Sequence, residues 1–367
     1  MRAKRSISKN EIIIVCEGSS TEYNYFTDLK EYVEKHQDVS PYTFIRILPA
    51  VDERVQQNNG RQPRHLMGDK AQLQYYESKE ANVADYEKYK AQPVRYVREA
   101  ELQVIENDYT EGWAVFDWDE KTTDPDKKQK KHDSVNPILD RNPGRVFVAF
   151  SSYSFEQWLL CHYECCDRKF TVSDHEADSK HSAMCGSPMA VVGKCCDGND
   201  CMAGYLRVKS YIPSYKKEDK SLFTTITLQG NKVSRKALFN ASLLRHSFGP
   251  RFSERPYTDV DILVCKLIND EFSYHWVSLD VDFLYNDTML RVTVDGKNIT
   301  IVNTGSRNCV LPQGKIYWGD EYQSNLTIVN PKSIFLEPDK TETFKKSKHK
   351  YLYIETLKKV DVLKFKY

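Results

Sequence analysis

Three acidic positions stand where chemistry could be done. Glu17 follows the apolar run Ile12-Ile13-Ile14-Val15-Cys16, and Asp117 and Asp119 follow Gly112-Trp113-Ala114-Val115-Phe116. Strand side chains alternate, so an Asp-x-Asp spacing points both carboxylates the same way while Trp118 turns opposite. Two such carboxylates repel unless a cation sits between them, and hard oxygen ligands suit Mg²⁺ or Mn²⁺. A cation on Asp117 and Asp119, with Glu17 at the end of the other apolar run as a further site candidate, is equipment for metal-assisted chemistry. Glu120 and Glu156 are secondary acids for the same chemistry.

A phosphate substrate also needs cations. Lys216 and Lys217, with Tyr215 to position them, are candidates, and a surface turn is the bland alternative. The basic run Lys127-Lys128-Gln129-Lys130-Lys131-His132 reads either as a solvated loop or as a mobile phosphate clamp in which Lys128 and Lys130 take part. Tyr75, Tyr76, Tyr86, Tyr89 and Tyr96, interleaved with basic residues, could stack on unpaired bases or simply decorate solvated helix faces. A second metal candidate lies in a cysteine-rich stretch: His181, Cys185, Cys195 or Cys196, and Cys201 could supply the four ligands of a structural zinc. The stretch has no paired C-x-x-C, and buried packing is the competing role for these thiols.

The elements that must position these residues follow from pattern. Ile12 to Val15 is continuously apolar, as expected for a parallel strand covered on both faces, so Glu17 emerges at its carboxyl end, the rim where open α/β sheets bind ligands. Gly18 permits a tight turn there. Ser19 and Glu22 have capping-box spacing, and Phe26, Leu29 and Val33 make the stripe of a helix. Residues 42–48, 112–117 and 145–150 read as further strands of the same sheet, Ser154 as the N-cap of a helix through Tyr163, and 235–246 as a short basic helix. From about residue 258 the pattern turns strand-like. Val260 to Val264, Tyr274 to Leu279, a hairpin from Met289 to Val302 through Asp295-Gly296, Tyr351 to Ile354 and Val360 to Leu363 predict a small all-β domain. Lysines around it, from Lys345 to Lys366, serve equally to hold nucleic acid or to blunt sheet edges.

Composition bounds the rest. The chain has 367 residues, 40% hydrophobic and 12% aromatic, enough for two or three cored domains. Charged residues reach 29% yet the net charge is +1, so a nucleic-acid surface must be a local patch. No apolar run approaches the ~20 residues needed to span a bilayer, which predicts a cytoplasmic protein whose ten cysteines are reduced thiols or metal ligands. No GxxxxGK[ST] loop is present, so any ATP use would fall to a partner.

Taken together, IxIVCEGxxTExxYF at Ile12 to Phe26, FDxDE at Phe116 to Glu120, FExWLLxHY at Phe155 to Tyr163 and PSYKK at Pro213 to Lys217 resemble the RloB-like family of Toprim-domain proteins from prokaryotic defence loci. The resemblance implies a Toprim fold, a Rossmann-like, mostly parallel sheet flanked by helices. It would fill residues 1–257, with insertions at about 51–110 and 164–205, ahead of a β-rich domain at 258–367. It further implies Mg²⁺-dependent phosphodiester chemistry on Glu17, Asp117 and Asp119, a role in antiphage defence, and a neighbouring ATPase as partner. Structured RNA such as tRNA is the expected substrate. A DNA nuclease or nickase, or a non-catalytic sensor or accessory subunit, are the alternatives.

Overall fold

The computed structural model describes residues 10–18, 20–49, 93–118, 125–170, 201–248, 251, 255–270, 273–286, 288–320, 326–356 and 361–366. Its first half is built on a five-stranded sheet ordered β2-β1-β3-β4-β7, from β1 (Glu11–Cys16), β2 (Phe44–Pro49), β3 (Glu111–Asp117), β4 (Val146–Ser152) and β7 (Tyr257–Thr258). The first four run parallel, and β7 joins β4 antiparallel.

The middles of β1, β3 and β4 are apolar because both faces are covered, and alternation assigns each side chain to one face. Ile12, Ile14 and Cys16 pack beneath α1 (Thr21–Lys35), with Phe26 and Leu29. Ile13 and Val15 pack on the other side beneath α2 (Val94–Glu106), with Tyr96, Val97 and Ala100. Helix α2 lies so close to β3 that a Cβ on Gly112 would stand 2.7 Å from the Ala100 carbonyl oxygen and 2.8 Å from Val104 Cγ2. The buried Glu101 carboxylate ties α2 to Arg141 of α4 (Asn136–Arg141), accepting from its Nε at 2.6 Å, and Arg98 adds a second cation. Burial alone would raise the Glu101 pKa; these guanidinium groups hold it below the ordinary value instead.

The basic run, one of whose readings was a loop, forms helix α3 (Pro125–Asp133). The element is docked by His132, fully buried, whose ring lies 4.3 Å from that of Trp118 and whose Nε2 stands 3.3 Å from the Asp117 carbonyl oxygen. The helix read from Ser154 is shorter than expected: α5 spans Glu156–Cys161, and Ser154 donates to Glu156 rather than capping a longer helix. After α6 (Met202–Val208), a π-helical turn at Phe223–Thr227, and a small hairpin of β5 (Leu228–Gln229) and β6 (Lys232–Val233), the expected basic helix appears as α7 (Arg235–Phe248).

Val260 to Val264 is not a strand. It is the start of α8 (Val260–Leu267), which buries Val260, Leu263, Val264 and Leu267 at the i, i+3, i+4, i+7 spacing of a helix face in the core of the α/β half.

The β-rich region starts at β8 (Ser273–Trp276). A four-stranded antiparallel sheet contains the expected hairpin, β10 (Thr288–Asp295) and β11 (Asn298–Asn303), which turns through Gly296 at φ +54°. A second, five-stranded sheet carries β17 (Tyr351–Glu355) and β18 (Asp361–Lys366), with β8 parallel to β18 at its edge. Tyr351, Tyr353 and Val362 pack into the same apolar cluster as α7 and α8, so the two halves share a core. At that seam the Lys364 ammonium is fully buried, 3.0 Å from the centre of the Phe239 ring and 4.4 Å from that of Tyr351.

Candidate active site

β1 and β3 end side by side, and their ends are locked together. Glu17 N donates to the Val115 carbonyl at 2.8 Å, and Asp117 N donates back to Glu17 Oε2 at 2.9 Å. The Tyr96 hydroxyl donates to Glu17 Oε1 at 3.3 Å. Glu17 continues the Ile13–Val15 face toward α2. Asp117 continues the face of Val115, toward α1 and α5. The two acids therefore meet at the carboxyl edge of the sheet from opposite faces.

On the Asp117 side waits an acid that sequence reasoning assigned to a different task. Glu22 is the second residue of α1 and only 8% exposed. Its spacing from Ser19 predicts a capping box instead. Ser19 lies outside the described residues, the residue before the helix is Ser20, and that serine makes no side-chain cap bond. Burial first, then the charge of Glu156, pushes the Glu22 carboxyl up to about 7, while Lys217 and a hydrogen bond with Asp117 pull against the rise. Glu22 and Asp117 are thus two carboxyls in contact, with burial pushing Glu22 toward its protonated form.

Glu156 closes the cluster. It is 1% exposed at the first position of α5, with Oε1 accepting from the Tyr215 hydroxyl at 2.7 Å and Oε2 from the Ser154 hydroxyl at 2.6 Å. Tyr215 is buried, and desolvation followed by repulsion from Glu156 drives its hydroxyl well above the ordinary value, so it remains a donor. It therefore serves the acid rather than presenting the lysines to solvent. Of its two neighbours, Lys217 is half-buried and faces Glu22, and Lys216 is exposed. Cys16 is packing: burial and then Glu22 raise its thiol well above the ordinary value.

The structure thus brings together Glu17, Asp117, Glu156, Tyr215 and Lys217 from the sequence-derived set and adds Glu22 and Tyr96. The signal for Glu22 was present in the Glu-Gly-Ser-Ser-Thr-Glu run itself, since a helix start beside a strand end puts its first turn over the sheet edge. Tyr96 is fully buried beside Glu17, not a stacking platform, and the other tyrosines read with it, Tyr75, Tyr76, Tyr86 and Tyr89, lie outside the described residues. So do Asp119, Glu120, His181, Cys185, Cys195 and Cys196. Lys130 is exposed on α3, and of Lys128 the backbone alone is described. Cys201 is fully buried, and its Sγ accepts from Gly204 N at 3.1 Å as the N-cap of α6.

Among the described residues no group of three or more acidic, histidine or cysteine side chains is arranged to ligate one ion. The donor set nonetheless fits a hard cation. Every acid here offers carboxylate oxygen, and at the Glu22–Asp117 contact two carboxyls stand together where a divalent ion would satisfy both charges.

Fold and site define an α/β protein with a carboxylate cluster and one lysine at the carboxyl edge of a parallel sheet. The model of the RloB-like protein family matches residues 12–267, a span that holds every member of this cluster, and the chain belongs to that family. No curated protein and no solved structure matches it. Among the described residues, no helix is long and apolar enough to cross a membrane.

Proposed function

We propose that the chain is a Toprim-type nuclease that cleaves nucleic-acid phosphodiester bonds with Mg²⁺ or Mn²⁺, acts on RNA in preference to DNA, and serves antiphage defence. The observation that carries this reading is the meeting of Glu17, Glu22, Asp117 and Glu156 with Lys217 at one sheet edge. A bound divalent ion would neutralise the scissile phosphate and stabilise the charge that develops on it. Asp117 and Glu22, with Asp119, are the residues to hold it.

The chain's own groups supply the rest. Glu17 is held by the Asp117 amide and the Tyr96 hydroxyl, which fixes its carboxylate for taking a proton from the attacking water. Lys217 stands beside Glu22, where it can meet a phosphate oxygen without reading a base. Tyr215 and Ser154 hold Glu156 in place, and Glu156 in turn raises Glu22, so that Glu22 carries or releases a proton near neutrality.

The preference for RNA rests on the net charge of +1, which provides no continuous basic track for long duplex DNA. With no P-loop in the sequence, an ATPase partner would act as a separate subunit. The test is incubation of the purified protein with labelled tRNA, single-stranded RNA, and single- and double-stranded DNA in Mg²⁺, Mn²⁺ or EDTA. Metal-dependent cutting of RNA is expected. Nicking of plasmid DNA with tRNA left intact moves the assignment to a DNA nuclease, and no cutting of any polymer leaves the sensor or accessory reading.

A further inference from the structure

Eight residues beyond Glu156, the chain builds an aromatic and cationic cluster that the acid chemistry does not use. The rings of Tyr163 and Tyr211 stack with centres 4.7 Å apart and planes within 5° of parallel. Tyr205 meets Tyr211 edge-on at 6.4 Å. Both flanking hydroxyls are fixed by one carboxylate: Tyr205 donates to Glu164 Oε1 at 2.7 Å and Tyr211 to Glu164 Oε2 at 3.1 Å. The guanidinium of Arg168 lies 5.6 Å from the Tyr205 ring centre and the ammonium of Lys209 5.4 Å from it. The three tyrosines are half-buried, while Arg168 and Lys209 are exposed.

We propose that Tyr163, Tyr205 and Tyr211, with Arg168 and Lys209, form a shelf that stacks an unpaired base of a single-stranded nucleic acid and leads its backbone to the carboxylate cluster. Rings already held by Glu164 lose little freedom on binding, and every base has a face to offer them. Arg168 and Lys209, over the Tyr205 ring, are placed to meet the phosphates beside that base.

The path onward is set by covalent geometry. Tyr211 is four residues from Tyr215, so their Cα atoms are at most about 14 Å apart, a few nucleotides of strand. The strap between them is held by Arg207, whose Nη1 donates to the Tyr215 carbonyl at 3.1 Å, and it ends at Lys217 beside Glu22. From Tyr205 to Lys220 the chain carries five cations and two acids, a local excess of +3 where the whole chain has +1.

The shelf rests on the phosphodiester reading for its purpose, and its test does not depend on cutting. Binding of labelled short single-stranded oligonucleotides is measured by fluorescence anisotropy in EDTA, with intact strands and with strands carrying one abasic position. Tyr211→Leu and Tyr163→Leu, checked for unchanged melting temperature, should each weaken binding of the intact strand by about tenfold. An abasic position seated on the shelf should weaken wild-type binding to a similar degree and add no further loss in Tyr211→Leu. The abasic comparison needs no altered protein, so it stands even where a variant folds poorly. Wild-type binding that neither an abasic position nor either substitution changes overturns the shelf and leaves the nuclease reading intact. Wild-type protein that binds no single strand overturns the shelf, and absence of cutting of every polymer, tRNA and duplex DNA included, overturns the nuclease reading as well.

Discussion

At the scale of single residues, the site turns on where one proton sits. The folded protein holds Glu22 at about 7, above the ordinary carboxyl value, so the fold favours its protonated form. That contribution to stability is fully present below about 4.5 and is lost as the pH rises through 7. Metal-free Glu22→Gln should therefore flatten the fall of melting temperature across this window relative to wild type. An unchanged slope would show that Glu22 ionises freely. The Tyr96 hydroxyl is the other residue-scale lever, since it donates to the carboxylate assigned as base. Removing a hydrogen bond to a charged group costs about 1.5–3 kcal/mol, so Tyr96→Phe should slow cleavage by about tenfold or more with substrate affinity little altered. A raised KM at unchanged kcat would place Tyr96 in binding instead. Glu17 and Asp117 were legible because apolar runs end in them. Glu22 was not, because Ser-x-x-Glu spacing at a helix start has a complete local explanation and its partners Asp117 and Glu156 are distant in sequence.

Elements show the same division between local pattern and distant packing. The parallel strands and helices α1 and α7 follow from patterns that can be counted along the sequence. Helix α8 carried its period too, but Val260 to Val264 is short and apolar enough to pass for a strand, and only Leu267 completes the helical stripe. The basic run hid a helix because, among its described side chains, the buried one is His132, which packs its ring against Trp118 and reaches the backbone of Asp117, while the lysines around it suggest solvent. His132→Ala should cost about 3 kcal/mol, the scale for emptying a buried aromatic site. If the basic helix takes part in substrate binding, the substitution should also raise KM for nucleic acid and flatten the salt dependence of binding, because α3 loses its anchor to the Asp117 backbone. An unchanged salt slope would mean that α3 contributes no phosphate contact. On the opposite edge of β3, Gly112→Ala should destabilise by about 1–3 kcal/mol through overpacking against the α2 backbone, read as a lower urea midpoint at unchanged slope.

For the whole molecule, the β-rich region was visible in sequence as hairpins and alternation, but its attachment was not. Tyr351, Tyr353 and Val362 complete a core begun by α1, α5, α7 and α8, and Lys364 is enclosed by rings from both halves. Residues that share one core unfold together, so calorimetry should give a single transition for the full chain, and Phe239→Ala should lower the melting of both halves. Two separate transitions would show that the seam is adhesive rather than structural. The family match ends at residue 267, yet the core does not.

The proposed activity is cleavage of phosphodiester bonds with a divalent cation by the acids gathered at the carboxyl edge of β1 and β3. Its most direct test is the cleavage rate of Asp117→Ala beside wild type on labelled tRNA across a Mg²⁺ titration, with melting temperatures matched. Asp117 sits at a strand end beside Glu22 and Glu17 rather than within the apolar core, so the fold should survive the change. Cleavage by wild type that EDTA abolishes, and a loss of at least about 10²-fold in Asp117→Ala at every Mg²⁺ concentration, is the predicted result. Undiminished cleavage by a folded Asp117→Ala variant would contradict it.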